Sequence, residues 1–173
     1  MIRTFRLESR TLVASDPCYA RGSTRHQRVF RSPRLGLWDA ALVWSSLGEP
    51  GRLVAWNRAA LRARPTLLSQ LADQPSLRSA CAVDSGKLGF FDAVDYRNDA
   101  SVGDLGRTSG NAWYADTCEL VREDAWAVLP RGVVTQVPFD GMCPLQAVRT
   151  RSKELVALAA QFVDPEEMDS LVP

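Results

Sequence analysis

The stretch "LGLWDAALVWSSLGEPGRLVAWN", residues 35–57, decides how the rest of the chain is read. Trp38, Ala40, Leu42 and Trp44 fall on one face of an extended segment. Leu37, Ala41 and Val43 fall on the other, interrupted only by Asp39. Apolar residues on both faces predict an interior strand, covered on both sides. "GEPG" (48–51) is a tight connection, so "RLVAWN" is expected to return beside the first segment as a hairpin.

Period two also governs the flanks. In "TFRLESRTLVA" (4–14) Phe5 and Leu7 alternate with Arg6 and Glu8, then Asp16-Pro17 opens a turn. "RGSTRHQRVFRSPR" (21–34) is polar and reads as a loop. Pro65 can open a short helix whose stripe is Leu67, Leu68 and Leu71, with Pro75 ending it. "ACAV" (80–83) leads through the turn "DSGK" into "LGFF" (88–91), a second hairpin in which Gly86 supplies a positive φ. "RNDASVGDLGRTSGN" (97–111) reads as a long surface loop. "AWYADTCELV" (112–121) and "AWAVLP" (125–130) read as strands. "GVVTQV" and "CPLQAV" flank "PFDGM", whose Asp140-Gly141 pair signals a third hairpin. "ELVALAAQFV" (154–163) fits a helical stripe and a strand face equally well. Asp164-Pro165-Glu166-Glu167 predicts a C-terminal helix. The expected fold is α+β and β-rich: a mostly antiparallel sheet or sandwich with one or two short helices, in one domain over 1–173.

The totals set the class. The 173 residues are 46% apolar and 24% charged, the balance of a globular protein. No apolar run approaches the ~20 residues of a membrane-spanning helix, and "MIRTFRLESR" has no apolar core behind its arginines. A cytoplasmic protein with reduced cysteines and no membrane contact is expected. Residues 1–64 carry 12 basic and 4 acidic side chains, and the rest carry 9 and 16. The halves can attract each other within one fold, or the split can mark a binding face. A net charge of +1 and a pI near 7.7 argue against a nucleic-acid binder.

The chemistry-bearing residues are sparse. Cys18, Cys81, Cys118 and Cys143 lie 63, 37 and 25 positions apart, so the usual paired zinc spacing is absent. His26 is the single histidine. A Cys18–His26 nucleophile pair would need a third residue to orient the imidazole, and the sequence names none. Cys18 is read instead as a small residue packed after the Asp16-Pro17 turn. Asp16, Asp84, Asp92 and Asp140 sit in or beside turns, where carboxylates bond backbone N–H groups. Brought to one end of a sheet, they could instead bind Mg²⁺ or Ca²⁺. Arg21, Arg25, Arg28, Arg31 and Arg34 could form a phosphate-contacting stripe or a solvated loop. There is no Walker loop, G-x-G-x-x-G, H-E-x-x-H or G-x-S-x-G motif.

"SDPCY" (15–19), "AVDSGKLGFFD" (82–92) and "FDGMCPLQAV" (139–148) before "ELVALAAQFVD", in that order, resemble the bacterial and phage family called domain of unknown function 4241. Carried over by residue, the resemblance implies Asp16 with Pro17, Asp84 with Gly86, Asp92, and Asp140 with Gly141 and Pro144. It favours a strand for 154–163. Ser15 and Met142-Cys143 depart from its pattern, and it implies no known activity.

Three functions follow as expectations. The first is a non-catalytic protein-binding domain, with an immunity or inhibitor role only as an extension of the resemblance. Its candidate binding residues are Asp16, Cys18, Tyr19, Asp84, Ser85, Gly86, Asp92, Asp140 and Gly141, with no catalytic residue and no cofactor. The second is a metal-assisted hydrolase using Asp84, Asp92 and Asp140, with or without Asp16. The third is nucleic-acid binding through the arginine-rich N-terminal part.

Overall fold

The computed structural model describes residues 1–23, 25–71, 79–98 and 111–163. Among the described residues eleven strands form two antiparallel sheets. The first sheet has six strands: β1 (Ile2–Leu7), β4 (Gly36–Trp44), β5 (Pro50–Asn57), β11 (Leu155–Gln161), β10 (Gly141–Arg149) and β6 (Ala80–Val83), in that spatial order. The second has five: β3 (Arg28–Arg31), β2 (Thr11–Ser15), β7 (Lys87–Asp92), β9 (Gly132–Gln136) and β8 (Trp126–Leu129). Helix α1 (Arg58–Ala63), a 3-10 helix (Pro65–Leu71) and helix α2 (Asn111–Glu123) are the helices among the described residues. Among the described residues no helix is long and apolar enough to cross a membrane.

The sheets stack on a shared core. Trp38, Leu53, Leu158 and Leu145 of the first sheet meet Leu12, Phe30, Leu88, Phe90 and Val133 of the second. The 35–57 hairpin forms as its pattern requires, with Trp38 opposite Asn57 and Leu42 opposite Leu53. Its other face is also buried, because Val54, Trp56, Ala157 and Ala159 pack under Ala60, Leu67 and Leu71. The outer face of the second sheet is covered in the same way: Phe91, Val134 and Leu129 meet Trp113 and Val121 of α2. The order is therefore helix, sheet, sheet, helix. Trp44 departs from the expected buried face: the register slips between Val43 and Trp44, and Trp44 is exposed.

Several local readings are corrected. The loop expected over 21–34 contains β3, which pairs with β2 from Thr11↔Arg31 to Ala14↔Arg28. "AWYADTCELV" is helical, because Trp113, Thr117 and Val121 recur at four-residue spacing and are all buried. Neither "DSGK" nor "PFDGM" closes a hairpin. β6 pairs with β10 whereas β7 pairs with β2 and β9, so both turns carry the chain from one sheet to the other. The turn chemistry was sound: Gly86 has φ 63° and Gly141 φ 135°. A tight turn signal does not say whether its flanks pair or cross between layers. Residues 154–163 supply β11, as the resemblance favoured. The 65–71 segment is helical, as a 3-10 turn. The stop at Pro75, most of the 97–111 loop and the C-terminal helix lie outside the described residues.

Candidate functional site

Strand register places the candidate residues at two ends of the sandwich. Ser15 lies opposite Gly89, and Lys87 opposite Gln136. The end of β2, the 84–86 crossover and the 137–140 crossover therefore share one end. Asp92 lies opposite Leu12, at the other. About 13 Å of strand separates it from Asp16.

Asp16 organises its end. Its side chain is fully buried. Oδ1 accepts from the Cys18 N–H at 2.8 Å and the Ser85 hydroxyl at 2.6 Å. Oδ2 accepts from the Asp84 N–H at 2.8 Å and the Ser85 N–H at 2.6 Å. Four donors fill the four lone-pair positions of a carboxylate. Asp16 thus clasps the 84–86 crossover to the end of β2, and has no acceptor left for a cation.

The segment after Asp16 is pinned from below by Tyr96. The Tyr96 hydroxyl donates to the Tyr19 carbonyl at 2.8 Å, with the Asp16 carbonyl at 3.1 Å. It accepts from Gln27 Nε2 at 3.0 Å and lies 3.0 Å from Ser15 Oγ. Its ring packs against Phe91 and Trp113. Tyr19 stacks on His26 at 4.5 Å between centroids, and His26 Nδ1 meets Ser23 Oγ at 2.9 Å. Arg97 reaches the Pro17 carbonyl from beside the Tyr114 ring.

Burial, reinforced by Asp16 and Asp84, pushes the Cys18 thiol up to about 12. It stays protonated at neutral pH and is a poor nucleophile. Among the described residues no hydrogen bond joins Cys18 to His26. The Asp84 and Asp140 side chains are exposed near Tyr19, whose phenol is raised by burial and then by Asp84. Asp92 repeats the role of Asp16 at the far end, accepting from the N–H groups of Glu8, Ser9 and Val94 at 2.7, 2.8 and 3.1 Å. Among the described residues no three metal-ligating side chains are grouped to hold an ion.

Burial also pushes the Tyr96 phenol up to about 12 from 10.0. A folded state that keeps this proton is neutral to pH below about 10, and loses stability as pH rises from about 10 towards 12, where only the unfolded chain ionises. Ultraviolet titration of the native protein should leave at least one phenol un-ionised at pH 11, and urea midpoints should fall across that window. A native phenol titration matching the denatured one contradicts the burial of Tyr96.

The far end carries a feature that spacing did not disclose. Ser32 N–H donates to the Arg10 carbonyl at 3.0 Å, and Leu155 N–H to the Ser32 carbonyl at 2.9 Å. Arg149 Nη1 bonds the carbonyls of Arg31 at 3.0 Å and Lys153 at 2.7 Å. Arg10, Arg31, Arg149, Arg151 and Lys153 are thereby gathered at one corner, all exposed. Among the described residues none of the five is in an ion pair. The nearby Glu154 is taken by Arg34 at 2.8 Å. Next to Arg34, the exposed Leu35 and Leu37 line a groove of about 580 Å³ with Asn57, Arg58 and Arg62. Three distant segments build this surface, so no local pattern in the chain announced it.

No protein-family model, no curated protein and no solved structure matches the chain.

Proposed function

We propose that the protein is a non-catalytic binding domain that takes an acidic protein segment with an apolar anchor. The carrying observation is the groove of Leu35 and Leu37 beside a corner of five cations with no acidic partner among the described residues. Exposed leucines next to unpaired cations match a partner that supplies both apolar side chains and carboxylates. The first end supports the same reading, since its polar groups hold the turns together. Four free cysteines suit a reducing compartment. A single-stranded nucleic-acid ligand would draw on aromatic platforms, and Trp38, Trp56, Trp113 and Trp126 are buried, which leaves the exposed Trp44 alone.

The test is fluorescence anisotropy with labelled peptides that alternate glutamate with leucine, run beside a labelled mixed-sequence DNA duplex. The peptides should bind. The triple variant Arg31→Glu, Arg149→Glu, Lys153→Glu should weaken binding about tenfold or more, and Leu37→Asp should do the same. Binding of DNA alone, insensitive to Leu37→Asp, overturns the reading in favour of a nucleic-acid ligand. Binding of neither probe removes it.

A further inference from the structure

Cys81 and Cys143 are direct register partners across the β6–β10 ladder. Both are fully buried, and both point into the core between the sheets. Leu145 N–H donates to the Ser79 carbonyl at 2.7 Å, which makes that pair a hydrogen-bonded one. The cysteine pair lies two residues along and belongs to the same class, with Cα atoms about 5.5 Å apart. That Cα separation suits a disulfide, at about 5.5–6 Å. The Cβ atoms of a hydrogen-bonded pair stand about 5.5 Å apart and must close to about 3.5–4.5 Å, so the bridge forms as β6 shifts towards β10. Pro144 takes the alternate position, where no N–H is needed towards β6. The two cysteines are 62 positions apart, so spacing rules gave no hint of the contact.

The reduced pair is quiet. The neighbouring Cys81 thiol and burial hold the Cys143 thiol protonated, well above its ordinary range. The Cys143 thiol donates to the Gln161 carbonyl at 3.4 Å. Access comes through β6, an edge strand of four residues whose one ladder partner among the described residues is β10, its outer edge held by the bond from Ala82 N–H to the His26 carbonyl at 2.9 Å. A short edge strand is among the first elements to open locally.

We propose that Cys81 and Cys143 form a redox site that closes into a cross-strand disulfide by exchange with a small-molecule disulfide such as oxidised glutathione. When β6 opens, one cysteine loses its proton and its thiolate attacks the glutathione disulfide, giving a mixed disulfide and one glutathione thiolate. The second cysteine loses its proton and attacks the protein sulfur of that mixed disulfide, releasing the second glutathione thiolate. The two protons pass to the two glutathione thiolates. Two protein thiols are oxidised, and one glutathione disulfide is reduced to two glutathiones. The product staples β6 to β10, beside the crossover that Asp16 clasps.

The whole protein is incubated with oxidised glutathione, its remaining thiols are alkylated, and it is mapped by mass spectrometry without reduction. The expected product is a Cys81–Cys143 linked peptide that dithiothreitol dissolves. The unfolding midpoint should rise by on the order of 5–10 °C. Cys81→Ser should abolish both the link and the rise. Two free thiols at Cys81 and Cys143 in the treated protein overturn the proposal, as does a link from either to another cysteine. If Cys81→Ser does not fold, the map of the unsubstituted protein decides alone.

Discussion

Replacing Asp16 with alanine is expected to destabilise the protein by about 3–5 kcal/mol, a large share of the stability of an ordinary domain. The substitution removes a buried carboxylate that satisfies the N–H groups of Cys18, Asp84 and Ser85 and the Ser85 hydroxyl. Those donors stay near the protein interior, and an unpaired buried donor costs more than the net value of the bond it lost. Asn is the sharper probe. It preserves shape and Oδ1, but its amide nitrogen would face donors at the Oδ2 position, so a loss of about 2–4 kcal/mol is expected. Urea unfolding measures both. A loss under about 1 kcal/mol for Asp16→Ala would show that the clasp is not what holds the crossover.

Gly89→Ala is expected to cost about 3 kcal/mol or more, through overpacking against the backbone. A Cβ on Gly89 would stand 2.5 Å from the Val133 carbonyl oxygen and 2.8 Å from Phe91 Cε2, and would overlap Phe91 Cζ. The Phe91 ring also lies 2.9 Å from where a Cβ on Gly132 would be. The ring thus covers two glycines on paired strands. Its own far face meets Trp113 of α2 at 5.1 Å between centroids. Adding Phe91→Leu to Gly89→Ala relieves the ring overlap but not the carbonyl contact. The double variant should therefore be more stable than the summed single losses predict. Near-native stability for Gly89→Ala alone would contradict the packing of β7 against β9.

The fold was readable where the pattern was local. Trp38, Ala40 and Leu42 alternate because one face of β4 lies in the inter-sheet core, and the chain states this directly. Helix α2 was misread because Ala112, Tyr114 and Cys118 blur the Trp113, Thr117, Val121 stripe, and the buried Thr117 hydroxyl bonds the Trp113 carbonyl at 2.7 Å. The crossovers at 84–86 and 137–140 were misread because glycine turn chemistry serves a crossover as well as a hairpin. Asp16 was legible as a turn residue, and its partners 68 and 69 positions away were not. The four aspartates read first as independent turn residues, and that is how Asp16 and Asp92 serve: Asp92 lies at the other end of β7 from the Asp16 clasp. The basic corner joins residues 10, 31 and 149–153, a union that only the strand order creates.

The most direct test is paramagnetic: Mn²⁺ is titrated into the isotopically labelled protein while the backbone amides of Cys18, Asp84 and Ser85 are followed by nuclear magnetic resonance. With every Asp16 acceptor filled by internal donors, these amides should stay sharp and slow to exchange. Selective broadening centred on them, lost in Asp16→Asn, would show that the carboxylate holds an ion.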